Sequence, residues 1–197
     1  MKYKMLTQIF MLLIGILISA VTFAATPSAT MLANSCAGCH GTNGSSVGPA
    51  SPTIAGISVE YFIETMEAYK KDERPSTIMT RIARGYTDEE IKLMADFFAK
   101  QPFVRQPQKF DRKLAKKGKK IHKKYCEKCH EDGGTSSEDD AGILAGQWEP
   151  YVRFTMEDFT SGTRTMEKKM KKKMNSLKKD HGDAGVDALI HYYSSFE

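Results

Sequence analysis

The chain has 197 residues, enough for one large domain or two small ones. Its formal net charge of +5 is uneven: residues 1–25 contribute +2, residues 26–100 net −2 and residues 101–197 net +5. The net of +3 left beyond residue 25 argues against a nucleic-acid-binding protein.

Residues 1–25 read as an export signal. Lys2 and Lys4 give a positive start, "IFMLLIGILI" from Ile9 to Ile18 a short apolar core, and "TFAAT" small residues for cleavage near Ala24 or Ala25. Ten apolar residues fall short of the roughly 20 that span a bilayer; an uncleaved anchor is the rival reading. The expected location is the periplasm, with no membrane span after cleavage.

Next comes "NSCAGCHGTNG", with Cys36, Cys39 and His40, followed by the Pro-bearing "GPASPTIAG" around Pro52. "YFIETMEAY" has helical character and places Met66 in a core stripe. "RPSTIMTRIARGY" then puts Met79 39 residues after His40, with Ala83 and Tyr86 following on one face. "TDEE" at Thr87–Glu90 is a capping box, and Ile91, Met94, Ala95 and Phe98 follow at helical spacing. "KQPFVRQPQ", with Pro102 and Pro107, marks a break.

Beyond the break, Leu114, Gly118, Ile121, His122 and Tyr125 form a helical stripe that ends at "KYCEKCHEDGG", with Cys126, Cys129 and His130. These two motifs hold all four cysteines of the chain. "AGQWEPY" carries the single tryptophan, Trp148, expected to pack in the core. "RTMEKKMKKKM" offers Met166, Met170 and Met174, and Val186, Leu189, Ile190 and Tyr193 close the chain as another helix stripe. The lysine runs "RKLAKKGKKIHKK" and "KKMKKKMNSLKK" read first as solvated helix faces, and second as a docking surface for an acidic partner.

Shifting the chain by 90 residues superimposes its halves. Cys36, Cys39 and His40 fall on Cys126, Cys129 and His130; Tyr61 falls on Tyr151, "TME" at 65–67 on "TME" at 155–157, and Arg74 on Arg164. A duplicated, mostly α domain follows, one copy over 26–103, a linker at 104–110 and a second copy over 111–197. So small a unit often needs a staple or an internal cofactor to complete its core.

Several chemistries use a C-x-x-C pair. A thioredoxin-like redox pair needs a βαβ context, which this pattern lacks. A zinc site needs four ligands, and two pairs at equivalent places in two repeats do not make one shared site. A disulfide within the motif leaves the adjacent histidine unexplained. Covalent c-type haem accounts for all three residues: two thioethers, and an imidazole toward the iron. Two haems are therefore expected, attached at Cys36 and Cys39 and at Cys126 and Cys129, with His40 and His130 as axial ligands. Methionine, a soft thioether that raises the potential, is the usual second ligand. Met79 fills that place in the first copy. In the second, Met170 is preferred to Met166 because Met174 and Leu177 follow it at +4 and +7; it requires one inserted residue before it and four after. A backbone carbonyl near Pro52 is expected to fix His40, and one near Gly142 to do so for His130.

The chain resembles the dihaem cytochrome subunit of flavocytochrome c sulfide dehydrogenase through "CAGCHGTNGSSVGPASPTIA", "STIMTRIARGYT", "KYCEKCHEDGG", "ILAGQWEPY" and "MEKKM". It is more distantly similar to free two-domain dihaem cytochromes c. The resemblance implies two tandem class I cytochrome c domains and an electron-transfer subunit that is not itself an enzyme. It also implies a separate FAD-containing flavoprotein that oxidises sulfide, and a soluble acceptor such as a cytochrome c. This chain has no G-x-G-x-x-G fingerprint for a dinucleotide of its own. The rival functions are a free dihaem carrier feeding a terminal oxidase, a haem peroxidase with an open distal position, and a non-haem zinc or disulfide module.

Overall fold

The computed structural model describes residues 3–4, 27–138 and 141–197. The expected export signal therefore lies outside the described residues, apart from Tyr3 and Lys4. Among the described residues there is helix, turn and coil but no strand, as the helical periodicities predict.

The first unit contains α1 (Ala29–Asn34), α2 (Ala37–His40), α3 (Val59–Lys70), α4 (Met79–Ala83) and α5 (Asp88–Phe98). Its helices begin where side chains can take orphan backbone N–H groups: Ser28 caps α1, Ser58 caps α3, and Thr87 with Glu90 forms the expected capping box on α5. The second unit contains α6 (Arg112–Tyr125), α7 (Glu149–Ser161), α8 (Lys168–His181) and α9 (Asp183–Tyr193). Here the carboxylates of Asp111 and Glu167 cap α6 and α8.

The repeat is visible element by element. The 3₁₀ turns Thr42–Gly44 and Asp132–Gly134 and the starts of α3 and α7 keep the 90-residue offset. The last helices, Asp88–Phe98 and Asp183–Tyr193, are offset by 95. The five extra residues, together with residues taken up from the flanking turns, turn a 5-residue α4 into a 14-residue α8.

Each unit closes its own apolar cluster. α1 packs on α5 around Leu32, Ala33, Ile91, Met94 and Phe98, and α6 packs on α9 around Ile121, Tyr125, Leu189 and Tyr193. The α6–α9 crossing is so close that a Cβ at Gly118 would overlap the carbonyl of Ala188.

The units also meet each other. The Gln147 carboxamide takes the Thr53 N–H at 2.9 Å and donates to the Thr53 carbonyl at 2.9 Å, pairing with buried backbone as a strand would. Ile143, from the second unit, belongs to the first unit's core. Trp148, expected in the core, instead lies at this interface. Its Nε1–H donates to the Ser46 carbonyl at 3.3 Å, and its ring covers Gly48, where a Cβ would stand 2.5 Å from it.

Because backbone rather than a flexible side chain opposes Gly118, Gly118→Ala is expected to cost roughly 3 kcal/mol, the upper end of overpacking penalties. Thermal unfolding would register it, and a melting temperature equal to that of the parent would contradict the close crossing.

Candidate functional site

Each C-x-x-C-H motif is folded into a single helical turn. The N–H groups of Cys39 and His40 both donate to the Cys36 carbonyl, at 3.2 and 2.9 Å; those of Cys129 and His130 both donate to the Cys126 carbonyl, at 3.1 and 3.0 Å. Residues at i, i+3 and i+4 share one face of such a turn, so both sulfurs and the imidazole face the same way. That is the reason the motif has this spacing.

A loop is then pinned beneath each turn. The Gly44 carbonyl accepts the N–H groups of Ile54 and Ala55, at 2.8 and 3.2 Å, and the Gly134 carbonyl those of Leu144 and Ala145, both at 2.9 Å. Both glycines have φ near +82° and +91°, a region costly for other residues. In the first unit this loop brings the Pro52 carbonyl 2.8 Å from His40 Nδ1, as expected. An Nδ1–H donated there leaves Nε2 with its lone pair for a metal. Hydroxyls brace the loop: the Ser46 N–H donates to Thr53 Oγ1 at 3.1 Å, and Ser46 Oγ to the Ser51 carbonyl at 2.7 Å.

The second unit departs from this. His130 Nδ1 is buried and finds no partner among the described residues, so the carbonyl expected near Gly142 is not delivered. The cause lies in the bracing residues. Where the first unit has Ser51 and Thr53, the second has Ala141 and Ile143, and Ile143 is drawn into the other unit's core.

The electrostatics suit ligation rather than redox thiol chemistry. Burial pushes the Cys36 thiol up and the Cys126 thiol up to about 11, the opposite of the depressed values of reactive C-x-x-C cysteines. None of the four cysteines is in a disulfide. Burial holds the His40 imidazole below its usual value and the His130 imidazole down to about 4, so both are neutral, the form that ligates. Among the described residues no group of three or more His, Cys, Asp or Glu could hold a bare metal ion. Two thiols and a neutral imidazole on one face, twice over, fit covalent haem.

The methionines fall as follows. Met79 is the first residue of α4 and packs against the first core, as does Cys36. Met166, just before α8, and Met170, in its first turn, both pack against the second core with Cys126. Met174 and Leu177 are buried behind Met170, as Ala83 is behind Met79. Met66 and Met94 are core residues, and Met156 packs against the second core. An open groove of about 740 Å³ near Met156, lined also by Arg153, Asp187 and Ile190, includes none of the motif residues.

Comparison with known proteins decides the family. The pattern of the cytochrome c family matches residues 25–101, and that of "cytochrome c oxidase, cbb3-type, subunit III" matches residues 113–192. Cytochrome c4 of Thiocapsa roseopersicina is 30% identical over 139 residues, 66% of this chain and 71% of that protein. The chain belongs to the cytochrome c family. It carries two cytochrome c domains, which imply haem c at the two cysteine pairs, and it is an electron-transfer protein rather than an enzyme. The cytochrome subunit of sulfide dehydrogenase from Chlorobaculum tepidum is 48% identical over 68 residues, 34% of this chain and 61% of that protein. The reduced cytochrome c4 of Pseudomonas stutzeri has the same fold, with a TM-score of 0.72 at 22% identity over 87% of this chain and 100% of that one.

The two cytochrome domains differ in a pair that the sequence disguised as ordinary helix stripe. Leu32 and Phe98 of the first are replaced by His122 and Tyr193 in the second, with His122 Nδ1 2.9 Å from the Tyr193 hydroxyl. His122 is 1% exposed, and its Nε2 lies 2.6 Å from a Glu127 oxygen, in ion-pair range but without hydrogen-bond alignment. Burial pushes the His122 imidazole down, against the opposing pull of Glu127. Unfolded, the same imidazole titrates near 6.5. The unfolded chain therefore binds a proton that the folded one refuses, and His122 lowers stability as pH falls below about 6.5. The double variant His122→Leu/Tyr193→Phe, which recreates the first domain's apolar pair, is expected to flatten that part of the stability–pH curve. Denaturant midpoints between about pH 7 and 5 test this; an unchanged slope contradicts it.

Proposed function

We propose that this chain is the dihaem electron-transfer subunit of a sulfide-oxidising system. It accepts electrons from a separate FAD-containing flavoprotein and passes them to a soluble cytochrome or similar acceptor, in the periplasm and after removal of residues 1–25. The observation that carries this reading is the 48% identity to the Chlorobaculum tepidum sulfide dehydrogenase cytochrome subunit, against 30% for the cytochrome c4 of Thiocapsa roseopersicina. When bound, haem c supplies a one-electron Fe(III)/Fe(II) couple. Two such groups match a flavin that has taken two electrons from sulfide.

In this reading the thioethers form at Cys36 and Cys39 and at Cys126 and Cys129. His40 and Met79 are the axial pair of the first haem, and His130 and Met170 that of the second. The burial of Met174 and Leu177 behind Met170, paralleling Ala83 behind Met79, supports Met170 over Met166. The Pro52 carbonyl makes His40 the more basic imidazole, and His130, with no such acceptor among the described residues, the weaker donor. The packed helices α6 and α8 present exposed lysines including Lys116, Lys120, Lys123, Lys168, Lys172 and Lys179. Such a face suits an acidic redox partner, accelerating encounter more than deepening affinity.

A second reading, a free dihaem carrier, is favoured by the match of 71% of a cytochrome c4 and by the shared two-domain fold. Purification from the host, followed by visible spectra with and without sulfide, separates the two. Haem reduction by sulfide only when a flavoprotein accompanies the chain is the expected result. A preparation without flavin or second polypeptide, unreactive to sulfide in the host extract, would identify the free carrier instead. In the same protein, Met170→Ala is expected to lower the second haem's potential and open it to cyanide, whereas Met166→Ala leaves both unchanged; the reverse pattern would assign Met166.

A further inference from the structure

Three polar residues of the second domain meet where the first domain has apolar ones. Four positions before the first cysteine of the motif stands His122 in the second domain and Leu32 in the first. Directly after that cysteine stands Glu127 in the second and Ala37 in the first. On the last helix Tyr193 takes the place of Phe98. Each of these two rings lies against the glycine that pins the loop, Gly134 or Gly44, and each backbone carbonyl accepts a further glycine N–H, from Gly146 or Gly56. An imidazole, a carboxylate and a phenol thus replace Leu, Ala and Phe together.

The three groups form a line. The buried His122 ring has the Tyr193 hydroxyl 2.9 Å from Nδ1 and a Glu127 oxygen 2.6 Å from Nε2. The other Glu127 oxygen accepts the Gly133 N–H at 3.4 Å, in the turn that follows His130. One tautomer suits this place. A neutral imidazole with its proton on Nε2 presents an N–H to the carboxylate, whereas a bare Nε2 would set a lone pair against an anion. Nδ1 is then free to accept the Tyr193 proton. Burial pushes the Tyr193 phenol well above its usual value, so it keeps that proton to donate.

The line has a direction, and it ends on the cysteine motif. The Tyr193 hydroxyl interacts with the Cys126 sulfur as well as with His122. With its proton committed to Nδ1, it turns an oxygen lone pair toward that sulfur. The backbone fixes the same register, because the His122 carbonyl accepts the N–H groups of Cys126 and Glu127 at 2.8 and 3.0 Å. A haem with two neutral axial ligands has a positively charged centre as Fe(III) and a neutral one as Fe(II). Oxygen lone pairs and a carboxylate beside it favour the oxidised form, and apolar surroundings favour the reduced form.

We propose that the Glu127–His122–Tyr193 line sets the potential of the second haem, stabilising its oxidised form and holding it below the potential that the first domain's Leu, Ala and Phe would give. The inference rests on the haem reading above. None of the three is an iron ligand. They act through the Cys126 attachment and the polarity around it, as positioning residues.

The test uses the purified dihaem protein at about pH 8, above the ordinary imidazole range, with haem content measured first. Each haem's midpoint potential is followed through its own hyperfine-shifted NMR signals. His122→Leu/Tyr193→Phe is expected to raise the second haem's potential and leave the first unmoved. Glu127→Gln should raise it by less, because that side chain is 42% exposed and water screens its charge. Leu32→His/Ala37→Glu/Phe98→Tyr, which copies the line into the first domain, should lower the first haem's potential. Tyr193→Phe removes a single oxygen and should itself raise the second potential, so it decides the matter even where the multiple variants do not fold. Nitrogen NMR of His122 in the parent should place its proton on Nε2. A second potential that is unmoved or lowered in Tyr193→Phe, with both haems present and only the melting temperature changed, would make the line a packing feature and overturn the proposal. A His122 proton on Nδ1 would overturn it as well. A parent protein without haem would instead overturn the proposed function.

Discussion

The constraint that shapes this molecule is the single helical turn that holds two sulfurs and an imidazole on one face. Satisfying it requires the backbone to close from Cys39 and His40 onto Cys36, and again from Cys129 and His130 onto Cys126. It also requires a loop that folds back beneath the histidine, anchored on Gly44 or Gly134. The remaining helices bring a methionine-bearing segment to the same small core. Units of this size bury little apolar surface by themselves, and a large prosthetic group inside each is a natural remedy.

Duplication has left the two copies free to diverge. The first keeps an idealised proximal side, with Pro52 on His40 and hydroxyls of Ser46 and Thr53 bracing the loop. The second gives up that brace: Ile143 serves the neighbouring core, and His130 Nδ1 finds no partner among the described residues. It also trades an apolar pair for His122 and Tyr193 close to its cysteine motif. Two haems in such unequal surroundings are not expected to share one potential, since hydrogen bonding to the ligand and local dielectric both tune it. An electron relay gains direction from that inequality.

Much of this was legible in the sequence, and the exceptions share a cause. Helix stripes such as Ile91, Met94 and Phe98, and the capping box at Thr87, depend on residues within a few positions of one another. The 90-residue register was equally visible, because it needs only self-comparison. What could not be read were contacts fixed by how one domain sits on the other. Gln147 pairing with Thr53, Trp148 covering Gly48, and Ile143 crossing into the first core have no local pattern. Arg74 and Tyr151 did leave a trace, each repeated at the offset, but nothing in the string says that the Arg74 guanidinium donates to the Tyr151 hydroxyl across the interface. His122 sat inside an apolar stripe and passed for core, which it is, while also being titratable.

The measurement closest to the centre of this account is the intact mass of the protein purified from its host. It should exceed that of the polypeptide alone, its N-terminus fixed by sequencing, by two haem groups, and by one haem when Cys126 and Cys129 are both replaced by serine. A mass equal to the bare polypeptide, from cells that attach haem to other cytochromes, would contradict the account.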